Sequence, residues 1–397
     1  MIKDRNLILE REIFSRSYIE ERMGIGGFNS LSKFELFIWD LEIFLQIQKR
    51  LGDKIILKGG AATQFYIPIS AQRTSIDIDM ICLASRDEVN KAIIDIESEL
   101  VKEDEYFKFR IHNPKNPKLG LDDLDTYFMT VPSICSEKEL FSTNGKQEVK
   151  VEFIFSDNTY SINRVSNVDL FALESDREFN ILSFEDLFAD KLTTLGPNTI
   201  GVSDERADEQ IKQIYDVITL MITNIDHLIG GKALIRSNYE KVARMECKLH
   251  QIPYEKEELL IDMKTLVKRL KNIENDNKLL LIANNFQSNY LRKSVNRDKA
   301  EWAIVGYQLD LLINFIFGED YKLVSFEEIN NFIETIKFKD VRGPESGKLK
   351  QEARSKLESN FGMHQDLSSE IFKKRVDRIV WELVSYYDFQ DLKELFK

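Results

Sequence analysis

Apolar and polar positions along this chain follow two regimes. Between residues 54 and 182, short apolar runs alternate with turn-forming residues, which predicts strands over 54–58, 75–83, 106–112, 126–131 and 148–155. A helix is predicted near 86–101, opened by Ser85, and His112–Gly120 reads as a loop. Residues 1–50 read as mostly helical, most strongly over Leu31–Leu51, and helices near 183–195 and 206–224 close the first part. Gly230-Gly231 marks a predicted boundary. Beyond it the period is almost wholly helical, over about 232–250, 256–274, 276–291, 297–317, 325–338, 347–360 and 366–396. The expected class is α+β, with a mixed-sheet domain over 1–230 and an all-helical bundle over 231–397.

One stretch carries the chemistry. The apolar run Lys54–Lys58 ends at Gly59-Gly60, and a short helix is expected from Ala61 to Tyr66, stopped by Pro68. Glycines let a ligand or another backbone approach closely, and amides at such a turn suit a phosphate. The next strand reads Ser75-Ile76-Asp77-Ile78-Asp79-Met80. Side chains alternate along a strand, so Asp77 and Asp79 share one face and Ile76, Ile78 and Met80 the other. Two carboxylates that close repel, and a hard divalent cation such as Mg²⁺ removes the repulsion. A Gly-Gly turn alone is usually only a turn, and an Asp-x-Asp alone is often an exposed polar face. Strand, Gly-Gly, helix and Asp-x-Asp strand in succession point to use of a nucleoside triphosphate (NTP).

Two later helices add candidates. Ser183 is a good N-cap, and Phe184, Leu187, Phe188, Lys191, Leu192 and Leu195 share one stripe. Lys191 therefore points coreward and needs an anion, either a structural ion-pair partner or a phosphate or carboxylate of the site. Asp216 lies in a segment apolar nearly all round, Ile211 to Ile222. It should be covered and paired, with Lys191 the obvious partner, in either a chemical or an orienting role.

The segment KGGAAT, followed by RTSIDIDM, resembles the nucleotidyltransferase signature of the AbiEii/AbiGii toxin family, within the DNA polymerase beta-type nucleotidyltransferase superfamily. Arg73, Ser75, Asp77 and Asp79 match its second half, and Ala61 departs from it, standing where the family has Thr or Ser. Phe184–Leu192 and Glu209–Val217 resemble the family's later lysine and aspartate motifs through Lys191 and Asp216, so that the likeness spans about residues 30–225. The resemblance implies a polymerase-beta-type fold and a third metal-binding carboxylate on a later strand. Glu152, in Glu148–Phe155, is the first candidate and Asp125 the competitor; the ordinary alternative for Glu152 is a solvent-facing residue beside Lys150. It further implies catalytic roles for Asp77, Asp79, Glu152, Lys191 and Asp216. Nucleotide contacts are expected from Lys58, Gly59, Gly60, Arg73 and Ser75. Asp77, Asp79 and Glu152 would hold two Mg²⁺ ions, with Mn²⁺ as a substitute. The implied partners are NTP, a tRNA or other RNA acceptor, and a cognate antitoxin. A small-molecule nucleotidyltransferase and a catalytically silent nucleotide- or partner-binding module are the alternatives.

Composition narrows the rest. The 397 residues are 43% hydrophobic and 31% charged, with a formal net charge of −12. No apolar run approaches the roughly 20 residues of a membrane helix, and the N-terminus lacks a signal-peptide layout, so no membrane and a cytoplasmic setting are expected. Three cysteines and four histidines show neither a disulfide framework nor zinc spacing. The first 235 residues carry 27 basic and 40 acidic side chains and the remainder 28 and 27. The second part is therefore no basic nucleic-acid domain as a whole. Its local clusters, such as Lys264, Lys268, Arg269 and Lys271, are either solvated helix faces or a groove for an RNA backbone.

Overall fold

The computed structural model describes residues 6–28, 30–101, 106–112, 123–135, 147–318, 326–336 and 343–396. Most of the predicted loop at His112–Gly120 lies outside them. The fold divides into two compact units, Met1–Lys256 with Ile282–Asn296, and Glu257–Leu281 with Arg297–Lys397.

The first unit opens with α1 (Arg16–Gly26) and α2 (Leu31–Leu51), then β1 (Ile55–Lys58), α3 (Gly59–Thr63), β2 (Asp77–Cys82) and α4 (Arg86–Leu100). Strands β3 (Phe109–Ile111), β4 (Leu124–Val131), β5 (Gln147–Phe155) and β6 (Ile162–Val165) follow, then β7 (Val168–Asp169), β8 (Glu174–Ser175) and β9 (Phe179–Leu182). Helices α5 (Phe184–Thr193), α6 (Ala207–Thr223) and α7 (Ile225–Leu249) complete it. Seven strands form one mixed sheet in the order β3-β4-β5-β2-β1-β9-β6, and β7 pairs with β8 separately. The α+β expectation holds.

Local chemistry explains the elements that place the site. Ser85 and Glu88 form a reciprocal capping box at the start of α4, and Ser183 accepts the Asp186 amide at the start of α5. Helix α2 is apolar on most sides and covers the sheet. Its Phe34, Phe37, Trp39 and Phe44 are fully buried, each contributing roughly 1.5–3 kcal/mol of hydrophobic stabilisation. Two of the buried acids of α2 cap backbone amides: Glu42 accepts from Ile8 and Leu9, and Glu35 from Ile134 and Cys135.

The boundary expected at Gly230-Gly231 needs correction, because both glycines sit inside the 25-residue α7. Their smallness serves packing: a Cβ on Gly231 would lie 3.0 Å from Glu185 Cγ on α5, so glycine lets the two helices close up. Strands β6 to β9 were not predicted. They span two to four residues each, too few to show a period.

The second unit is helical, as expected. It draws on α8 (Lys256–Lys271), the start of α9 (Asn277–Tyr290, which returns to the first unit from Ile282), α10 (Lys299–Phe317), α11 (Phe326–Thr335), α12 (Pro344–Asn360), α13 (Val376–Leu383) and α14 (Phe389–Leu395). The single helix expected over 366–396 is broken, with α14 starting afresh at the Asp388 cap. Among the described residues α10 is the one helix long and apolar enough to cross a membrane by length and composition, and most of it is buried in the fold.

Candidate active site

The glycine turn and the acidic strand are one structure. Gly59 has φ +68°, a backbone region that favours glycine, and an added Cβ would lie 3.0 Å from Asp79 Cγ and overlap its Oδ2. A Cβ on Gly60 would lie 2.7 Å from Arg73 Nη2 and 2.8 Å from Ser75 Oγ. The missing side chains therefore admit the Asp79 carboxylate and the Arg73-Ser75 segment against the backbone. Gln64 locks this arrangement: its Nε2 donates to the Gly60 carbonyl (2.7 Å), and its Oε1 accepts the Arg73 amide (2.8 Å).

The sheet register brings the acids together. Strand β2 runs between β1, antiparallel, and β5, parallel, pairing Asp79 with Lys58 on one side and Glu152 on the other. Asp77 pairs with Lys150. Ile78 and Met80 are buried on the opposite face, as the alternation requires. Of the two candidates for a third carboxylate, Glu152 is the one beside Asp79. Asp125 pairs in register with Phe153 and meets Arg86 at 3.1 Å. Lys150 Nζ lies 2.9 Å from Glu152, and Thr126 Oγ1 donates to Glu152 at 3.1 Å.

Electrostatics follow from this crowding. Burial, then the charges of Glu152 and Asp77, pushes Asp79 up to about 7. Burial raises Asp77 as well, against the pull of Lys150 and Lys212. Burial would raise Glu152 too, but Lys150 outweighs it and holds the group below the usual range. Asp40 on α2 adds to the acidity: it is 1% exposed, both its carboxylate oxygens are unpartnered, and burial keeps it well above the ordinary range. Nothing in the sequence pattern flags Asp40, which sits within an apolar helix.

A divalent cation fits the donor chemistry of Asp77, Asp79 and Glu152, which are hard oxygen ligands held in mutual repulsion. As positioned, no group of three His, Cys, Asp or Glu residues among the described ones could hold a metal ion. Glu152 is engaged by Lys150 and Thr126 and already meets Asp79, so that a bound cation would compete there with Lys150.

Behind the turn lies a buried ion cluster. Arg73 Nε and Nη2 donate to the two oxygens of Asp216, both at 2.7 Å, and Lys191 Nζ donates to Asp216 Oδ2 at 2.7 Å. Lys191 also donates to Gln213 Oε1 at 2.7 Å. Asp216 is 0% exposed and Lys191 2%. Burial would raise Asp216, yet the two cations hold it below its usual range. The Lys191–Asp216 pairing expected from the sequence is present. Arg73, expected to touch a nucleotide, spends its guanidinium on Asp216 and the Thr74 carbonyl. Lys58, expected to do the same, donates to Asp190 Oδ1 at 2.7 Å. The sequence reading placed Lys150 beside Glu152, where it forms an ion pair, and missed Gln213 and Asp190 as partners.

The family model of the nucleotidyl transferase AbiEii toxin, type IV toxin–antitoxin system, matches residues 43–287. The chain belongs to the AbiEii family. It is accordingly a nucleotidyltransferase, and the matched span contains the turn, the three carboxylates and the buried ion cluster. A solved structure from H. pylori, provisionally described as a nucleotidyltransferase, is 16% identical, with a TM-score of 0.36 over 70% of this chain and 95% of that one. At that similarity it lends no support of its own. The curated proteins contain no significant match.

Proposed function

We propose that this AbiEii-family chain transfers a nucleoside monophosphate from NTP to an acceptor hydroxyl in a Mg²⁺-dependent reaction, acting as the toxin of a toxin–antitoxin pair on tRNA or another RNA. The observation that carries the reading is the packing of the Asp79 carboxylate against Gly59, which joins the acidic face to the backbone turn. Asp77, Asp79 and Glu152 would hold the metal, which supplies Lewis-acid stabilisation of the phosphates and of the acceptor oxygen. Gly59 and Gly60 seat Asp79, Arg73 and Ser75 against the turn, and a polyphosphate would be held beside it through the metal. The acceptor oxygen attacks the α-phosphorus, the bond from that phosphorus to the bridging oxygen breaks, and pyrophosphate leaves. The acceptor proton passes to a carboxylate of the same face. Arg73, Lys191 and Asp216 act together as a buried brace that fixes the loop entering β2. A reaction consuming NTP and RNA belongs in the cytoplasm, and the cognate antitoxin would be a separate chain.

Ala61 favours a second reading. It is buried at 1% exposure and lacks the hydroxyl of the family pattern, as a catalytically silent binding module would. Incubation with each [α-³²P]NTP, Mg²⁺ and total cell RNA separates the cases. Labelled RNA supports the proposal, and label on a small hydroxyl compound moves the acceptor to a small molecule. Nucleotide binding without any transferred label supports the silent module and overturns the proposal.

A further inference from the structure

Lysines around the site fall into two groups. Lys58, Lys150 and Lys191 are each neutralised, by Asp190, Glu152 and Asp216. Lys33 and Lys212 are not: each lies over the ring of Tyr290, at 3.4 and 4.5 Å from its centroid, and neither makes a carboxylate ion pair among the described residues. Three separate parts of the chain converge here. Lys33 lies in the first turn of α2, Lys212 on α6 one turn before Asp216, and Tyr290 at the end of α9 in the segment that rejoins the first unit. The Tyr290 carbonyl accepts the Thr74 amide at 3.2 Å, which anchors the tyrosine to the loop leading into β2.

We propose that Lys33, Lys212 and Tyr290 form a phosphate-binding subsite, distinct from the glycine turn and the carboxylates. Two half-buried ammonium groups held at one ring repel each other, and a phosphate oxyanion accepting from both removes that cost. Burial and the neighbouring Lys212 lower the proton affinity of Lys33, and the two lysines outweigh burial to lower that of the Tyr290 hydroxyl. The Lys33 shift is chiefly burial, and the Tyr290 shift is the one that records the two positive charges. The acidic groups in range, Asp208 near Lys33 and Asp77 near Lys212, act at a distance without pairing with either lysine, and Glu209 is taken by Arg206. The ligand chemistry is a phosphate ester. It is either the terminal phosphate of NTP or a backbone phosphate of the acceptor strand, and the assignment to either source rests on the nucleotidyl-transfer reading.

Calorimetric binding of inorganic tripolyphosphate and of a short single-stranded RNA, on the full chain without turnover, tests this. The variants are wild type, the Lys33→Gln/Lys212→Gln double, the Lys33→Arg/Lys212→Arg double and Tyr290→Phe. The Gln double weakens one probe by about tenfold or more, and the Arg double restores most of the affinity. Loss for tripolyphosphate assigns the subsite to NTP, and loss for RNA assigns it to the acceptor. Tyr290→Phe keeps the ring and loses a smaller factor. The proposal is overturned if wild type binds neither probe, or if the Gln double binds both as tightly as wild type. A chain that transfers no nucleotide, yet whose Gln double loses tripolyphosphate affinity, refutes the transfer reading and leaves the subsite standing.

Discussion

Asp79 lies against Gly59 so closely that no side chain can stand at that glycine. The contact joins the two halves of the sequence signature, since the turn exists in its observed form only while the acid beside it has room. Gly59→Ala therefore meets two obstacles, a positive φ and a collision with a carboxylate. We expect a loss of about 1–3 kcal/mol in stability together with at least a hundredfold loss of transfer, read by chemical denaturation and labelled-NTP assay. Wild-type activity in Gly59→Ala would show that the contact is dispensable.

The proton affinity of Asp79 gives a pH signature. Its folded value of about 7 lies above the ordinary 3.8, so the fold favours the protonated form. The metal-free protein should lose stability from this group as pH rises from about 4 to about 7, and no further beyond. Asp79→Asn mimics the neutral acid and escapes that loss. It should match wild type near pH 4 and exceed it above pH 7 by a few kcal/mol, roughly 2–4 at most. Thermal melts of both proteins across that range, in chelator, check the sign. A constant gap at all pH values would place the proton elsewhere. Mg²⁺ should narrow the gap above pH 7, where it meets a charged Asp79.

Asp216 predicts the opposite slope. Arg73 and Lys191 hold its folded value below 3.8, so its contribution is complete above the unfolded value and fades as pH falls through the lowered one. Asp216→Asn strands two buried cations and should cost about 3–5 kcal/mol at neutral pH, measured by urea denaturation. A change under 1 kcal/mol would mean that the cluster is solvated or rearranges freely. The Arg73–Asp216 pair is bidentate, so Arg73→Lys should recover only part of the loss.

Gly230 and Gly231 behave as helix residues with different surroundings. Nothing lies within 4 Å of a Cβ on Gly230, whereas one on Gly231 meets Glu185. Gly230→Ala should stabilise by about 0.5–1 kcal/mol, the helical preference of alanine over glycine. Gly231→Leu should destabilise by pushing α7 off α5. Calorimetric melts compare them, and a destabilising Gly230→Ala would return this position to a flexible joint.

These contrasts show what the sequence made readable. The face shared by Asp77 and Asp79, the Ser85 and Ser183 caps and the extent of α2 follow from local periods and capping chemistry, and all are present. The pairing of Lys191 with Asp216 followed from burial, because two covered opposite charges need each other. Other features depend on contacts that local pattern does not encode. Strand β9 joins β1 through a parallel register at Leu57 and Ile181, which no run of four residues announces. Lys58 turns to Asp190 because α5 packs beneath the turn. Tyr290 reaches Lys33 and Lys212 only because the chain rejoins the first unit after leaving it. The Gly-Gly step misled because glycine serves close helix packing as readily as flexibility.

The central claim is that the acidic face at β2 drives nucleotidyl transfer. Its most direct test is the rate of [α-³²P]NTP transfer, with Mg²⁺, by wild type and by Asp79→Asn, each shown to be folded by its melt. The account predicts labelled acceptor with wild type and a rate at least about a hundredfold lower with Asp79→Asn, although that variant is as stable or more stable. Equal rates for the two proteins would contradict it.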